Sequence, residues 1–451
     1  MPPQATVALG TFPRAIRICP PSGGNKFLLQ TDLSDPEAEP GKVAVHVPPG
    51  LVRVVGVELA FSPRACEGKR CATRWGVDYL KLNQYIDSNV VSTSTDATET
   101  YIRTEDQDKD DAIPIHPPSL GLPWATGILH CRQSKLWKLS VDVAREALEE
   151  FATSKEADLL SKTGVSLADI AKQELQSNVE DGWAKFPIYL FSEGDEERTR
   201  LLSLINVFIF IFDDFWEATD IAGFSQIEGT FIRSMQPNLP PEMSRGKGTI
   251  QSIIRNSISD ILALDKVSGK DNGRQMIDRM VQFFTRPPPP DSFSTLRAFL
   301  DYRHEDAAAP HVMACVAFSY NLDVELQNPR IAKYVQLFSD HISVVNDIAS
   351  WEKEKKAYDT GKVLYLINTV AEVKKLFSLD SYESAIRVTL GLQFHIECEI
   401  DREIQALIVD DHLTADEKQF IKSLLYAMSG NVLVSTIMTR YGGERLVRSL
   451  V

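Results

Sequence analysis

The chain has 451 residues, 43% of them hydrophobic and 24% charged, with a formal net charge of −14; this is the balance of a water-soluble globular protein with one large domain plus an extension. Such acidity disfavours nucleic acid or an anionic membrane surface as main partner, because both demand clustered Lys and Arg. It leaves open an anionic small molecule bridged to carboxylates by divalent cations.

No run of about 18 or more apolar residues and no basic leader before an apolar core is evident, so a cytoplasmic location without a membrane span is expected. Cys19, Cys66, Cys71, Cys131, Cys315 and Cys398 are scattered without zinc-ligand spacing, and free thiols are expected. Residues 1–115 contain no convincing helix. Alternation around Pro-Pro-Gly in 42–63 predicts a hairpin, and 89–111 is Ser/Thr-rich and strand-like before an acidic run. A Pro-rich boundary at 113–123 then opens a segment, 116–451, that is helical almost throughout. Helices are expected at 134–154, 166–178, 197–219, 248–264, 272–286, 293–303, 311–326, 329–355, 361–377, 381–408 and 415–439. The fold class is therefore all-α with an N-terminal extension that is partly β.

Two helices carry oxygen ligands where apolar residues would be expected. In "LLSLINVFIFIFDDFWE" (201–217) the apolar run ends in Asp213 and Asp214, with Glu217 one turn beyond Asp213 on the same face. In "NDIASWEKE" (346–354), Asn346, Ser350 and Glu354 drift only about 80° around a helix axis and stack an amide, a hydroxyl and a carboxylate on one face. Buried carboxylates are costly unless paired or bound to metal. Hard cations such as Mg2+ take oxygen ligands and keep sites for water and phosphate. Either motif alone reads equally well as a solvated helix end or a polar stripe; together they point to metal ions shared with a diphosphate. Of the aromatic residues before Asp213, Phe208, Phe210 and Phe212 step by about 200° and cannot all face one pocket. Asn206 and Phe210 share the face of Asp213 best, and Phe338, Ser339 and Ile342 hold the corresponding places before Asn346.

"DDFWE" resembles the aspartate-rich motif, and "NDIASWEKE" the four-in-nine NDxxSxxxE motif, of class I terpene synthases, with a separation similar to that of fungal sesquiterpene cyclases. The resemblance covers residues from about 120 onward and implies a helical bundle around a central active-site cavity. It implies metal ligation by Asp213, Asp214, Glu217, Asn346, Ser350 and Glu354, with a cluster of roughly three Mg2+ ions when substrate is bound. Arg303, 43 residues before Asn346, matches the family's diphosphate-sensing arginine. Asp306 and Ala307 fall in its linker and effector slots at a helix break, with Pro310 limiting continuity. Lys353, Arg440 and Tyr441 match further diphosphate donors, so Asp213, Arg303, Asp306, Ala307 and Tyr441 are the residues expected to serve the reaction. Val434 departs from the pattern, standing where many members carry a cation-shielding Trp.

The resemblance implies ionisation and cyclisation of a prenyl diphosphate, farnesyl diphosphate first, to a sesquiterpene. The small Val434 points to an early stop at a humulene-type macrocycle. Geranylgeranyl diphosphate as substrate, prenyl-chain transfer, and a non-catalytic helical scaffold are the alternatives. Homodimerisation is common in the family, although no interface is specified by the sequence. "DKDD" (108–111) matches the acid motif of class II cyclases but lies in an acidic run better read as solvated loop.

Overall fold

In the computed structural model, backbone is described for three short strands before residue 32, and the chain is described over 112–441 except 118–121, 123, 129–130, 220, 237–248 and 411. The early strands, β1 (Thr6–Val7), β2 (Ile16–Cys19) and β3 (Leu28–Thr31), form an antiparallel sheet in that order. The hairpin expected at 42–63, the strand-like 89–111 and the "DKDD" run lie outside the described residues. Strand β4 (Ala112–Ile115) pairs antiparallel with β5 (Cys131–Ser134), and β5 packs on the helices. Residues 112–115, read by composition as the end of the extension, thus pair with a strand inside the 116–451 segment.

Thirteen α-helices follow among the described residues: α1 (Trp137–Thr153), α2 (Leu167–Gln176), α3 (Lys185–Leu190), α4 (Glu196–Glu217), α5 (Ile221–Thr230), α6 (Thr249–Ser268), α7 (Asn272–Phe284), α8 (Leu296–Asp306), α9 (Ala309–Ser319), α10 (Ala332–Asp359), α11 (Thr369–Leu376), α12 (Tyr382–Ile408) and α13 (Ala415–Ile437). Their starts follow local chemistry. Ser166 with Asp169 and Thr414 with Glu417 form reciprocal capping boxes, and Asp195, Thr295 and Ser381 accept from backbone N–H groups in the first turns of α4, α8 and α12.

Three expected boundaries move, each for a visible reason. The helix expected at 361–377 begins only at Thr369, because Asn368 is its N-cap and the preceding loop folds back so that Leu364 N–H donates to Glu217 O. The one expected at 311–326 stops at Ser319, where Asn321 takes a left-handed conformation at φ 51° and the chain closes with a Leu322 N–H bond to Ala317 O. The one expected at 293–303 starts after the Thr295 cap and runs to Asp306. Helices α3 and α5 do not follow from the periodicity of the sequence.

Helix α10 is central, packing against α8, α9, α11, α12 and α13. Its neighbour α13 is apolar along most of its length, and 94% of its most apolar window is buried in the bundle. Gly430 lets α13 approach α3: a Cβ there would stand 2.2 Å from the Tyr189 carbonyl oxygen. Phe208 and Phe212 of α4 pack with Phe151 of α1, and Phe212 also meets Phe231 and Phe284. The segment before β5 is strapped to α12 by the buried Glu397, which accepts from Gly127 N (2.7 Å), Gln393 Nε2 (2.9 Å) and His341 Nε2 (3.1 Å). Cys131, Cys315 and Cys398 are free thiols, as expected.

One core group gives the fold a pH signature. His311 is buried, with Nδ1 3.2 Å from Met276 O and Nε2 3.3 Å from the Cys315 sulfur, and burial pulls its imidazole down from 6.5 to about 4. An unfolded chain therefore binds the proton first as pH falls. The resulting stability is complete above pH 6.5 and is lost as pH drops towards 4. It is worth roughly 3 kcal/mol. Denaturant midpoints measured across that range are expected to rise with pH more steeply in the wild-type protein than in His311→Gln.

Candidate active site

Helix α4 buries Phe208 and Phe212 and leaves Asp213, Asp214 and Glu217 only partly covered at its C-terminal end. Phe210 is half-buried, stacked on Trp183 at 5.3 Å between ring centroids and tilted against Phe186 at 4.7 Å. Asn206, one turn before it, donates from Nδ2 to Trp183 O at 2.9 Å. On α10, Ser350 is fully buried while Asn346 and Glu354 are partly exposed.

The two oxygen-bearing helices belong to one site, joined on both sides by charged and polar contacts. On one side Asp213 Oδ1 accepts from Arg286 Nη2 (2.6 Å), and Arg286 Nε donates to Asp306 Oδ1 (3.0 Å). Asp306 then pairs with Arg303, and Arg303 with Asp347, the neighbour of Asn346. On the other side Asn346 Nδ2 donates to the Tyr441 hydroxyl (2.9 Å), and the adjacent Arg440 grips Asp214 with both terminal nitrogens, Nη1 at 2.8 Å. The chain of contacts closes on itself, from Asp213 through Asp306 and Asp347 to Asn346 and back to Asp214. Asp213 and Asn346 therefore share one site, and Arg303, Asp306, Arg440 and Tyr441 all stand in the ring.

The charges explain why such a ring would take up a cation. Six carboxylates (Asp213, Asp214, Glu217, Asp306, Asp347, Glu354) face four cations (Arg286, Arg303, Lys353, Arg440), leaving two negative charges when all are ionised. Burial, with Asp213, Asp214 and Glu354 nearby, pushes the Glu217 carboxyl up to about 8 against the opposing pull of Lys353. Burial likewise raises Asp213 despite Arg286 and takes Asp347 to about 6 despite Arg303. At Asp214 burial also acts to raise the pKa, but Arg440 and Lys353 outweigh it and the net shift is downward. Tyr441 is pushed up to about 12 by burial, so its hydroxyl keeps its proton.

Several polar atoms are left for a ligand. Ser350 Oγ, Arg303 Nε and Arg440 Nε are buried without a hydrogen-bond partner, an arrangement that costs about 1–3 kcal/mol per group unless something binds. Among the described residues no three His, Cys, Asp or Glu side chains form a closed metal cage. An incomplete set of carboxylate, amide and hydroxyl oxygens is the donor chemistry of Mg2+ sites that substrate phosphate completes. Asp213, Asp214 and Glu217 on one helix and Asn346, Ser350 and Glu354 on the other fit that role.

At the break between α8 and α9, Ala307 ends one helix and Ala308 carries the left-handed turn at φ 54°. The strain costs about 1–3 kcal/mol for a residue with a Cβ. Pro310 follows in the first turn of α9. Phe338 and Val434 are fully buried and Ile342 nearly so, while Ser339 is 2.9 Å from His304 Nδ1 through its hydroxyl.

Sequence reasoning missed four residues that build the site. Arg286 stands just before the Pro287–Pro290 run, and Asp347 lies inside the "NDIASWEKE" motif at a position to which the helix face assigns no role. Asn368 donates from Nδ2 to both Glu354 Oε2 (2.9 Å) and Asp347 O (2.8 Å). Thr369 donates its backbone N–H (2.7 Å) and hydroxyl (2.5 Å) to Asp347 Oδ2. The Asn-Thr pair opening an apolar-periodic stretch is an N-cap signal that would have located the latter two.

Residues 205–389 match the family model for terpene synthase family 2, C-terminal metal binding, a span that takes in both oxygen-bearing motifs. Terpene cyclase 6 of Gibberella fujikuroi is 22% identical over 338 residues, covering 74% of this chain and 86% of that protein.

Residues 205–389 are a terpene synthase metal-binding domain.

Aristolochene synthase of Aspergillus terreus is 31% identical to the enzyme over 153 residues, 32% of this chain and 46% of that one. In fold, the crystal structure of aristolochene synthase from Penicillium roqueforti superposes with a TM-score of 0.52 at 19% identity, covering 66% of this chain and 94% of its own. Other relatives are named a bifunctional sesterterpene synthase and a bifunctional type I diterpene synthase; the matches cover 35% and 32% of their lengths. The matched metal-binding domain, with relatives named terpene cyclases and synthases, makes this chain a lyase acting on prenyl diphosphates, and the scaffold alternative falls away.

Proposed function

We propose that the enzyme ionises farnesyl diphosphate and cyclises the resulting cation to a sesquiterpene, releasing diphosphate. The observation that carries this is the closed ring of contacts, which sets two incomplete oxygen clusters around one site with a buried Ser350 oxygen left unpartnered. Mg2+ would be held by Asp213, Asp214 and Glu217 and by Asn346, Ser350 and Glu354, and when bound it supplies Lewis-acid neutralisation of the leaving group. Arg303, Lys353, Arg440 and the protonated Tyr441 donate hydrogen bonds to the diphosphate. Such bonds strengthen as charge develops on the departing oxygens, and each is worth a few kcal/mol, on the order of 3, in the transition state.

Asp306 orients Arg303, and the Ala307–Ala308 turn presents backbone at the point where the bond breaks. Asn206, Phe210, Phe338, Ile342 and Val434 form the mould, with Ser339 contributing shape because its hydroxyl is engaged with His304. The Phe210 face lies 6.0 Å from the Arg440 guanidinium, beside the donors, where an aromatic ring stabilises positive charge. The small Val434 favours release at a humulene-type macrocycle.

The deciding experiment incubates the pure protein with MgCl2 and geranyl, farnesyl or geranylgeranyl diphosphate, followed by hexane extraction and mass analysis. A terpene hydrocarbon or alcohol formed fastest from farnesyl diphosphate is expected. Preference for geranylgeranyl diphosphate would move the assignment to diterpenes. A longer diphosphate formed only on adding isopentenyl diphosphate would replace cyclisation by chain transfer.

A further inference from the structure

Arg286 has no counterpart among the motifs read from the sequence, yet its side chain is the only contact joining Asp213 to the α8–α9 break among the described ion pairs. It is buried, and it spends its donors in three directions: Nη2 on Asp213 (2.6 Å), Nε on Asp306 (3.0 Å) and Nη1 on Phe283 O (3.1 Å). The planar head is sandwiched by aromatic faces, 3.9 Å from the Trp216 centroid and 4.1 Å from that of Phe283. Trp216 lies between Asp214 and Glu217 on α4. A guanidinium clamped in this way cannot turn to follow one carboxylate without loosening its hold on the other.

Asp306 is shared: one oxygen accepts from Arg286 and the other from Arg303. We propose that Arg286 is a positioning residue that transmits cation capture at Asp213 through Asp306 to Arg303. When a cation takes over part of the Asp213 charge, Arg286 is drawn more fully to Asp306. Asp306 then holds Arg303 less tightly, and the Arg303 guanidinium turns from its carboxylate partners to the diphosphate. The effect is a coupling between two sites, and so it is reciprocal: diphosphate on Arg303 returns Asp306 to Arg286 and frees Asp213 for the cation.

This inference rests on the metal and diphosphate reading of the site, and its test separates the two. Binding of inorganic diphosphate is measured by calorimetry with and without Mg2+, and the factor by which Mg2+ tightens it is compared among variants. In the wild-type protein that factor is expected to be large. Arg286→Gln is expected to reduce it by about tenfold. Arg286→Lys retains a charge for folding but lacks the flat two-sided fork, and is expected to fall between the two. Asp306→Asn should lower the factor as far as Arg286→Gln, and the Arg286→Lys/Asp306→Asn double variant no further than Asp306→Asn alone.

A folded Arg286→Lys variant, verified by its unfolding midpoint, that keeps the wild-type factor overturns the inference. So does a double variant in which the two losses multiply, since Arg286 would then act independently of Asp306. If Mg2+ leaves diphosphate binding unchanged in the wild-type protein, the metal and diphosphate reading falls together with this one.

Discussion

Asn346→Ala is expected to lower turnover of the preferred prenyl diphosphate by about 10²–10³-fold, the usual cost of deleting one electrostatic contact made to developing charge. Its structural cost should be small. Asn346 is partly exposed, and the substitution removes the 2.9 Å hydrogen bond from Nδ2 to the Tyr441 hydroxyl, worth about 1 kcal/mol. The two measurements together are informative: diphosphate release collapses while the unfolding midpoint stays near that of the parent. A variant that turns over at more than a tenth of the parental rate would remove Asn346 from the ligand set. Asn346→Asp sharpens the comparison, because it retains an oxygen ligand but loses the donor to Tyr441. The carboxylate can instead accept from the protonated Tyr441 hydroxyl, so the variant should recover part of the lost metal response and keep Tyr441 aligned through a reversed hydrogen bond.

Arg303→Met is expected to have the largest effect on stability. Arg303 is buried between Asp306 and Asp347, both of which are also buried. Removing Arg303 leaves the Asp347 charge with no compensating cation, while Asp306 keeps Arg286, at a cost of about 3–5 kcal/mol. Asp347 is the more sensitive of the two: it is fully buried and is already pushed up to about 6 with Arg303 in place. Thr369 supplies its remaining hydrogen bonds. Adding Asp347→Asn to Arg303→Met is therefore expected to recover a large part of the stability, because the orphaned charge is gone, while activity stays low because the diphosphate donor is absent. Urea midpoints of the parent, the single variant and the double variant decide this. Equal destabilisation in the single and double variants would show that Arg303 stabilises by packing, through its aliphatic stem, rather than by pairing.

Both carboxylate helices were legible in the sequence because helical periodicity is local. The placing of Asn346, Ser350 and Glu354 on one face needs only the helix repeat, and so does that of Asp213 and Glu217. The starts of α4, α8 and α13 were within reach for the same reason, since an Asp or Thr side chain caps backbone groups two or three residues away. The loop at 361–368 imitates a helix in sequence because its apolar residues fit the period. Its actual course depends on Glu217 and Glu354, distant partners that no local window contains.

What the sequence by itself determined, then, is the class of fold and the oxygen-bearing face of each helix. The tertiary structure alone decided which cation meets which carboxylate. The partners in the ring, Arg286 with Asp213, Arg286 with Asp306, Arg303 with Asp347 and Arg440 with Asp214, lie 73, 20, 44 and 226 residues apart in the chain. No periodicity spans such separations. Charged side chains reach only a few ångströms, so their pairing follows from where helix packing sets the backbone, and the packing of α4, α8, α10 and the residues after α13 brings these groups to one place.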